Sequence, residues 1–329
     1  YSSNAIKNSK QRLKRLAFVE NVFFEEVRVP GSANKLDLNI RIEEKRSGNF
    51  TIGAGLGGSG EGLSLNAGIS QDNFLGFGSK VAFNINTEKT KRNYSFNFSN
   101  PYHNLDSVSR SFGFNLQKTK SDDEDTVSTY DADRIGVNYS YGLPMTEDNR
   151  FYLSLNYLKW DIRTNDNSPT EILDFITSNG ESFDNFSFKV TYAIDKRDSG
   201  AFPRYGFKTS LGAEVFVPGS DLEYYKITFR TDSYFQINKE KDIILRLMGI
   251  TRFGEGYGGT QDLPFYDKFR AGGPKSVRGY RKNSLSPLDS EGDPLGGDFM
   301  LAGSSEIIFK PPVDVAQLRT AFFIDYGGA

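Results

Sequence analysis

The chain has 329 residues, with Lys+Arg 40 against Asp+Glu 42, a formal net charge of -2, one histidine and no cysteine. Balanced charge gives no electrostatic footprint for nucleic acid, so no nucleic-acid partner is expected. The missing thiols exclude a disulfide framework and a thiolate metal site, and a lone histidine leaves little for zinc or Ser-His-Asp chemistry.

Aromatic residues reach 14%, with Phe 28, Tyr 17 and Gly 33, a composition that suits strands and turns more than helices. Mean hydropathy is -0.50, and no run approaches the roughly 18 apolar residues of a membrane helix. A transmembrane barrel stays open, because its strands are apolar on one face only. The N-terminus lacks a basic segment followed by an apolar core. A secretory signal is therefore expected to have been removed, or the chain to be an internal piece of something longer.

The first elements are short. In SSNAIKNSKQRLKRLAF, Ile6, Leu13, Leu16 and Ala17 fall near one helical face, and the basic last turn complements the helix dipole. NVFFEEVRV and KLDLNIRIEE read as two strands around the turn PGSAN. In the second, Leu36, Leu38, Ile40 and Ile42 alternate with Asp37, Asn39 and Arg41. Residues 1–46 thus read as a small α+β unit, and residues 47–329 as a separate domain.

From Asn49 onward the period becomes two. Tyr94, Phe96 and Phe98 alternate with Asn93, Ser95 and Asn97; Phe186, Phe188, Val190 and Tyr192 alternate with Asn185, Ser187, Lys189 and Thr191. About thirteen such segments follow one another, most of about ten residues, the length at which a tilted strand crosses a bilayer. Connections alternate between short turns (QDNFLGFG, GLPMTEDNR, NKEKD) and longer loops, of which Gly254–Asp298 is the longest. That asymmetry fits an outer-membrane barrel, mainly β and antiparallel. A soluble β-sandwich also alternates, but has fewer strands and no need of a second, Ser/Asn/Thr/Gly/Lys-rich face.

Several motifs carry only bland readings. Gly53, Gly55 and Gly58 have G-x-G-x-x-G spacing, yet alternation resumes through Leu63, Leu65, Ala67 and Ile69 instead of a helix, which excludes a dinucleotide loop. A glycine-rich hairpin whose strands pair weakly is the better reading. Asp122, Asp123, Glu124 and Asp125 lack the spacing of a calcium loop. SPTEILDFITSNG reads as a short helix on a barrel rim, Lys196, Arg197 and Asp198 as a turn with exposed pairs of little energetic weight, and His103 as structural. No metal or other cofactor is expected, and no nucleophile–base–acid set points to an enzyme.

GGPKSVRGYRKNS (Gly272–Ser284) stands apart. A long loop of a barrel with a polar lumen can fold back inside, where an arginine needs a carboxylate partner. Glu306 and Asp325 sit in strands that otherwise bear few charges, and one guanidinium can bridge two carboxylates. An ordinary basic surface loop fits the same spacing equally well, and Lys275, Arg281 and Lys282 read as solvated charges.

SVRGY after AGG resembles the V-R-G-F/Y motif of the BamA-type family of outer-membrane protein assembly factors. RVPGSANKLDL, EEKRSGNF, QDNFLGFG, NPYHNLD, RDSGAFP, VPGSDLEYYK, LPFYDKFRAGG and FFIDYGG are similar to the same family in the same order. The resemblance implies periplasmic polypeptide-transport-associated (POTRA) modules followed by a barrel of about sixteen strands. Residues 1–46 would be the C-terminal part of the last POTRA module, and residues 47–329 the barrel, with about thirteen strands present and its C-terminus truncated. It places Val277, Arg278, Gly279 and Tyr280 in a loop anchored inside the lumen through Glu306 and Asp325. It makes Asn49, Phe50, Thr51, Ile52, Gly53, Ala54, Gly55, Leu56 and Gly57 the first strand of a lateral seam.

The implied function is that of the core insertase of the β-barrel assembly machinery in the outer membrane of a Gram-negative bacterium, with the N-terminal part in the periplasm. Unfolded outer-membrane protein clients, accessory lipoproteins of the complex and outer-membrane lipids are the implied partners. A related translocation-and-assembly factor and a two-partner secretion transporter share the superfamily and are the alternatives.

Overall fold

A computed structural model describes the chain except residues 1, 15, 17, 33, 34, 57–62, 89, 90, 105, 121–127, 241 and 311–317. Gly57 and the acidic run Asp122–Asp125 lie outside the described residues. Helix α1 (Ser3–Lys14) precedes an antiparallel hairpin of β1 (Val19–Arg28) and β2 (Leu36–Glu44). Leu13 and Leu16 pack on Phe18, Val19 and Val22, so the apolar stripe of the helix covers the start of β1. The alternating face of β2 stays open: Ile40 and Ile42 are 47% and 41% exposed.

The remaining strands are β3 (Gly48–Leu56), β4 (Leu63–Phe74), β5 (Ser79–Thr87), β6 (Lys91–Asn100), β7 (Ser109–Thr119) and β8 (Asp131–Pro144). After β9 (Asn149–Arg163) comes helix α2 (Thr170–Asn179), then β10 (Ser182–Asp195), β11 (Gly206–Phe216), β12 (Tyr224–Asn238) and β13 (Ile243–Gly256). A long loop, 257–298, leads to β14 (Phe299–Phe309) and β15 (Thr320–Gly328). Among the described residues these strands form one 13-stranded sheet in sequence order, each antiparallel to its neighbours, with β3 first and β15 last. An unbroken meander of this kind follows from the short turns at one end, which allow only neighbouring strands to pair.

The sheet is inside out relative to a soluble domain. On β10, Phe186 and Phe188 are exposed while Asn185 and Ser187 are buried. The same holds elsewhere: Leu155, Leu211, Phe229 and Ile307 all face outward. Aromatic and aliphatic side chains turned outward from a continuous sheet are satisfied by lipid, and the polar inner face by a wet lumen.

The main apolar core lies at the end that carries the long loops. Tyr130, Trp160, Phe183, Phe216 and Tyr224 from the strand ends and Ile172 from α2 pack with Leu263, Phe265, Tyr266 and Phe269 of the long loop. Trp160 stacks on Tyr266 at a centroid distance of 4.5 Å, and Phe216 on Tyr224 at 3.9 Å. The expected rim helix is therefore real, and it helps hold the loop down.

Candidate functional site

The loop tip is shaped by backbone that only glycine adopts readily. Gly272, Gly273 and Gly279 have φ of 108°, 88° and 87°. A Cβ on Gly272 would meet the Arg281 carbonyl oxygen at 2.6 Å. The Ser276 hydroxyl accepts from the Gly272 N–H at 2.9 Å and donates to the Gly272 carbonyl at 3.0 Å, closing a tight turn. Val277 is 2% exposed and joins the apolar core. That insertion turns Arg278 toward the wall of β14 and β15.

There the arginine meets a prepared acceptor surface. Its Nε and Nη2 donate to Asp325 Oδ2 and Oδ1, both at 2.7 Å, and its backbone N–H donates to Oδ2 at 2.9 Å. Nη2 also lies 2.6 Å from Glu306 Oε1 and 2.7 Å from the Ser304 hydroxyl. The ring of Phe323 sits 3.5 Å from the guanidinium carbon. The two carboxylate side chains are 6% and 3% exposed, so both are desolvated and depend on the arginine for compensation. The hydrogen bonds to Asp325, ahead of the opposing cost of burial, hold the Arg278 guanidinium more basic than usual.

Strand register explains why these groups converge. Ser304 pairs with Asp325 across β14 and β15, and Arg246 pairs with Glu306 across β13 and β14. Ser304 and Glu306 share a face because they are two residues apart. Arg246 in turn donates to Glu306 at 3.0 Å and to both oxygens of Asp232, at 2.8 and 2.9 Å. The result is an alternating chain of charges, Asp232–Arg246–Glu306–Arg278–Asp325. Ser304, Arg246, Asp232 and Phe323 escape sequence reading, although each lies on the lumen-facing or adjacent positions that the alternation defines.

Among the sequence-marked residues, Val277, Arg278, Glu306 and Asp325 are brought together with Gly279 at the turn. Tyr280 is not part of the cluster: it is 56% exposed. Asn49–Leu56 form β3, paired with β4 from Gly48↔Gln71 to Leu56↔Leu63. They lie on the first strand of the sheet, next to β4, apart from the arginine cluster.

Two further contacts fix the loop. Asp267 accepts from Tyr224 Oη at 2.6 Å and from Lys226 Nζ at 2.7 Å. Burial alone would raise the Asp267 carboxyl, but the Lys226 ammonium and the two hydrogen bonds hold it below the usual aspartate range. Near α2, the Thr170 N–H donates to the Ser290 hydroxyl at 2.9 Å, and the Ser290 N–H donates to Glu171 Oε2 at 3.1 Å. Pro169, at the N-cap position, offers no side-chain cap, so the loop caps the helix from outside.

One expected surface feature is different in kind. Arg197 pairs bidentately with Asp195, at 2.8 and 2.7 Å, and its side chain is only 16% exposed. Asp198 instead accepts from the backbone N–H groups of Arg204 and Tyr205. The turn is stapled by its charges, because the two bonds are parallel and one partner is mostly desolvated.

A polar-lined antiparallel barrel sheet, apolar outside and closed at one end by an inward-anchored loop, defines an outer-membrane β-barrel protein. The Omp85 superfamily domain matches residues 73–329, and the chain belongs to that superfamily. It is 31% identical over 99% of its length to the outer membrane protein assembly factor BamA of Neisseria meningitidis, covering 42% of that protein. It is 26% identical to the human sorting and assembly machinery component 50 homolog, over 89% of this chain and 61% of that one.

Among solved structures, BamA from Haemophilus ducreyi lacking POTRA domains 1-3 superimposes with a TM-score of 0.82 at 27% identity, covering 99% of this chain and 66% of that one. CdiB from Acinetobacter baumannii, at 15% identity and a TM-score of 0.65, shares the fold. The chain spans about two-fifths of the length of the BamA relatives it matches. These relatives are named outer membrane protein assembly factors.

Proposed function

We propose that the chain is the barrel core, with part of the adjoining periplasmic POTRA module, of a β-barrel insertase in the outer membrane. Client barrel proteins are its substrates, accessory lipoproteins its complex partners, and lipids its surroundings. The observation that carries this reading is the state of β3. It is the first strand of the sheet, and Gly53 and Gly55 in its middle leave it without side chains to pack along its pairing with β4. Unpaired backbone groups in lipid cost several kcal/mol each. A weakly paired first strand in that setting can open and let a client strand satisfy its own N–H and C=O groups on it.

The anchored loop supports the same reading over passage through the lumen. Arg278 ties the loop to the last two strands, and the apolar core packs it across the extracellular end. A transporter that moves its substrate through the bore has to dislodge both. A glycine-poor, tightly packed first strand would serve insertion badly, because opening it would also lose the cross-strand side-chain packing that glycine does not supply.

Since these 329 residues hold no cysteine, a thiol introduced here reports on its own position within them. Ile52→Cys in the full-length protein should form a disulfide with a cysteine in the terminal strand of a stalled client. Asn138→Cys, on the lumen face, should not. Crosslinks only at Asn138→Cys would replace the insertase with a transporter. Depletion in the host should lower many unrelated outer-membrane barrels together.

A further inference from the structure

Between the loop tip and the first strands lies a lumen cavity of about 780 Å³. Its lining holds six cationic side chains, Lys91, Arg134, Lys189, Lys226, Lys275 and Lys282, against the carboxylates Glu88, Glu214 and Asp267. Two of those carboxylates are engaged on one side. Lys189 and Lys226 reach Glu214 at 3.6 and 3.8 Å, and Lys226 reaches Asp267 at 2.7 Å. Glu88 is the one carboxylate of the lining on the side of Lys91, Arg134, Lys275 and Lys282. Lys91 lies within electrostatic reach of the other three cations, and Arg134 within reach of Asp267.

Arg134 is the least exposed of the four cations. Its guanidinium is held 5.3 Å from the Trp160 ring centroid, and its buried Nε has no hydrogen-bond partner in the protein. A buried donor is best satisfied by an acceptor, the more so when it is charged. Lys91, Lys275 and Lys282 are exposed to the lumen, so cations from β6, β8 and the long loop line one basic, solvent-open cavity that favours an anion over a cation. The side-chain amides of Asn93, Gln117 and Asn138 complete a polar lining.

We propose that this cavity binds a compact phosphate-type anion, gripped by Lys91 and Arg134 on the wall and by Lys275 and Lys282 on the loop. A phosphate suits the site better than a carboxylate because it offers three or more acceptor oxygens to cations arriving from different directions. Lys275 and Lys282 flank Arg278 in sequence. The anion therefore fastens the tip to β6 and β8, while Arg278 fastens it to β14 and β15.

The test is titration of the full-length protein in detergent micelles with sodium phosphate, against sodium chloride at matched ionic strength. A parallel set in lipid nanodiscs carries a phosphate-bearing glycolipid or a neutral lipid. One saturable site per chain is expected, read as heat and as a rise in unfolding temperature specific to phosphate. Arg134→Gln, and the loop pair Lys275→Gln with Lys282→Gln, should each weaken binding at least ten-fold, and Arg41→Gln on the exposed periplasmic hairpin should not. The loop pair keeps the test valid if Arg134→Gln fails to fold.

Saturation in micelles assigns the site to free phosphate. Stabilisation confined to glycolipid nanodiscs, and lost in the same variants, assigns it to a headgroup. Absence of any phosphate-specific effect in both settings, or binding indifferent to both sets of substitutions, overturns the proposal.

Discussion

Arg278 satisfies two carboxylates at once, so its loss is asymmetric. Arg278→Ala leaves Glu306 and Asp325 buried without that partner, a change of about 3 kcal/mol. Arg278→Lys keeps the charge but gives up the parallel two-bond geometry with Asp325, and should fall between wild type and alanine. Thermal unfolding in micelles with limited proteolysis of the loop checks both; equal stability of all three proteins would remove the anchor. Asp267 gives a pH signature of opposite reach. Its carboxyl is depressed in the folded protein, so its contribution is complete above the unfolded-state value of about 3.9 and is lost as pH falls through the folded one. The stability gap between wild type and Asp267→Asn should stay constant from about pH 8 to 5 and close in stronger acid. A gap that instead widened on acidification would contradict the ion pair with Lys226.

Elements in this barrel are joined by borrowed caps. Helix α2 starts on a proline and takes its first acceptor from Ser290, across 120 residues of sequence. Ser290→Ala should cost about 1 kcal/mol, read by hydrogen exchange as roughly five-fold faster exchange at Thr170 and its neighbours. Unchanged exchange there would mean that packing of Ile172 and Phe175 alone seats the helix. Most of the element order was legible in the sequence, since a period of two survives wherever one face meets lipid and the other water. β10, with Phe186 and Phe188 outside and Asn185 and Ser187 inside, is the clearest case. The trans cap was not legible, because Ser290 carries no local pattern linking it to Thr170. Leu36, Ile40 and Ile42 of β2 read like a buried face, yet remain largely exposed. Alternation reports an apolar face and not what covers it.

Across the whole molecule, the long loop joins opposite walls. Scarce charge on β14 and β15 made Arg278, Glu306 and Asp325 a candidate trio, and the resemblance of the V-R-G-Y segment was needed to prefer it over an ordinary surface loop. Arg246 and Asp232, which extend the trio into a chain, were hidden among the ordinary charges of a wet lumen face. Register alone reveals them. That chain of charges and the aromatic core behind it also bear on leakage. An outer-membrane barrel sits in the cell's outermost permeability barrier, where a bare bore would pass ions and small toxic solutes. Here the bore is stoppered by the molecule's own loop, held on the β14–β15 side by the Arg278 guanidinium and elsewhere by the aromatic core and Asp267. Full-length wild type in planar bilayers should be electrically quiet, with rare small openings. Arg278→Ala should give frequent steps of larger conductance, and host cells carrying it should become sensitive to bulky hydrophilic antibiotics. Identical current traces would mean that the aromatic packing of Trp160 and Tyr266 is seal enough. On this view the arginine insulates the membrane, and the cost of its loss falls on the cell before it falls on folding.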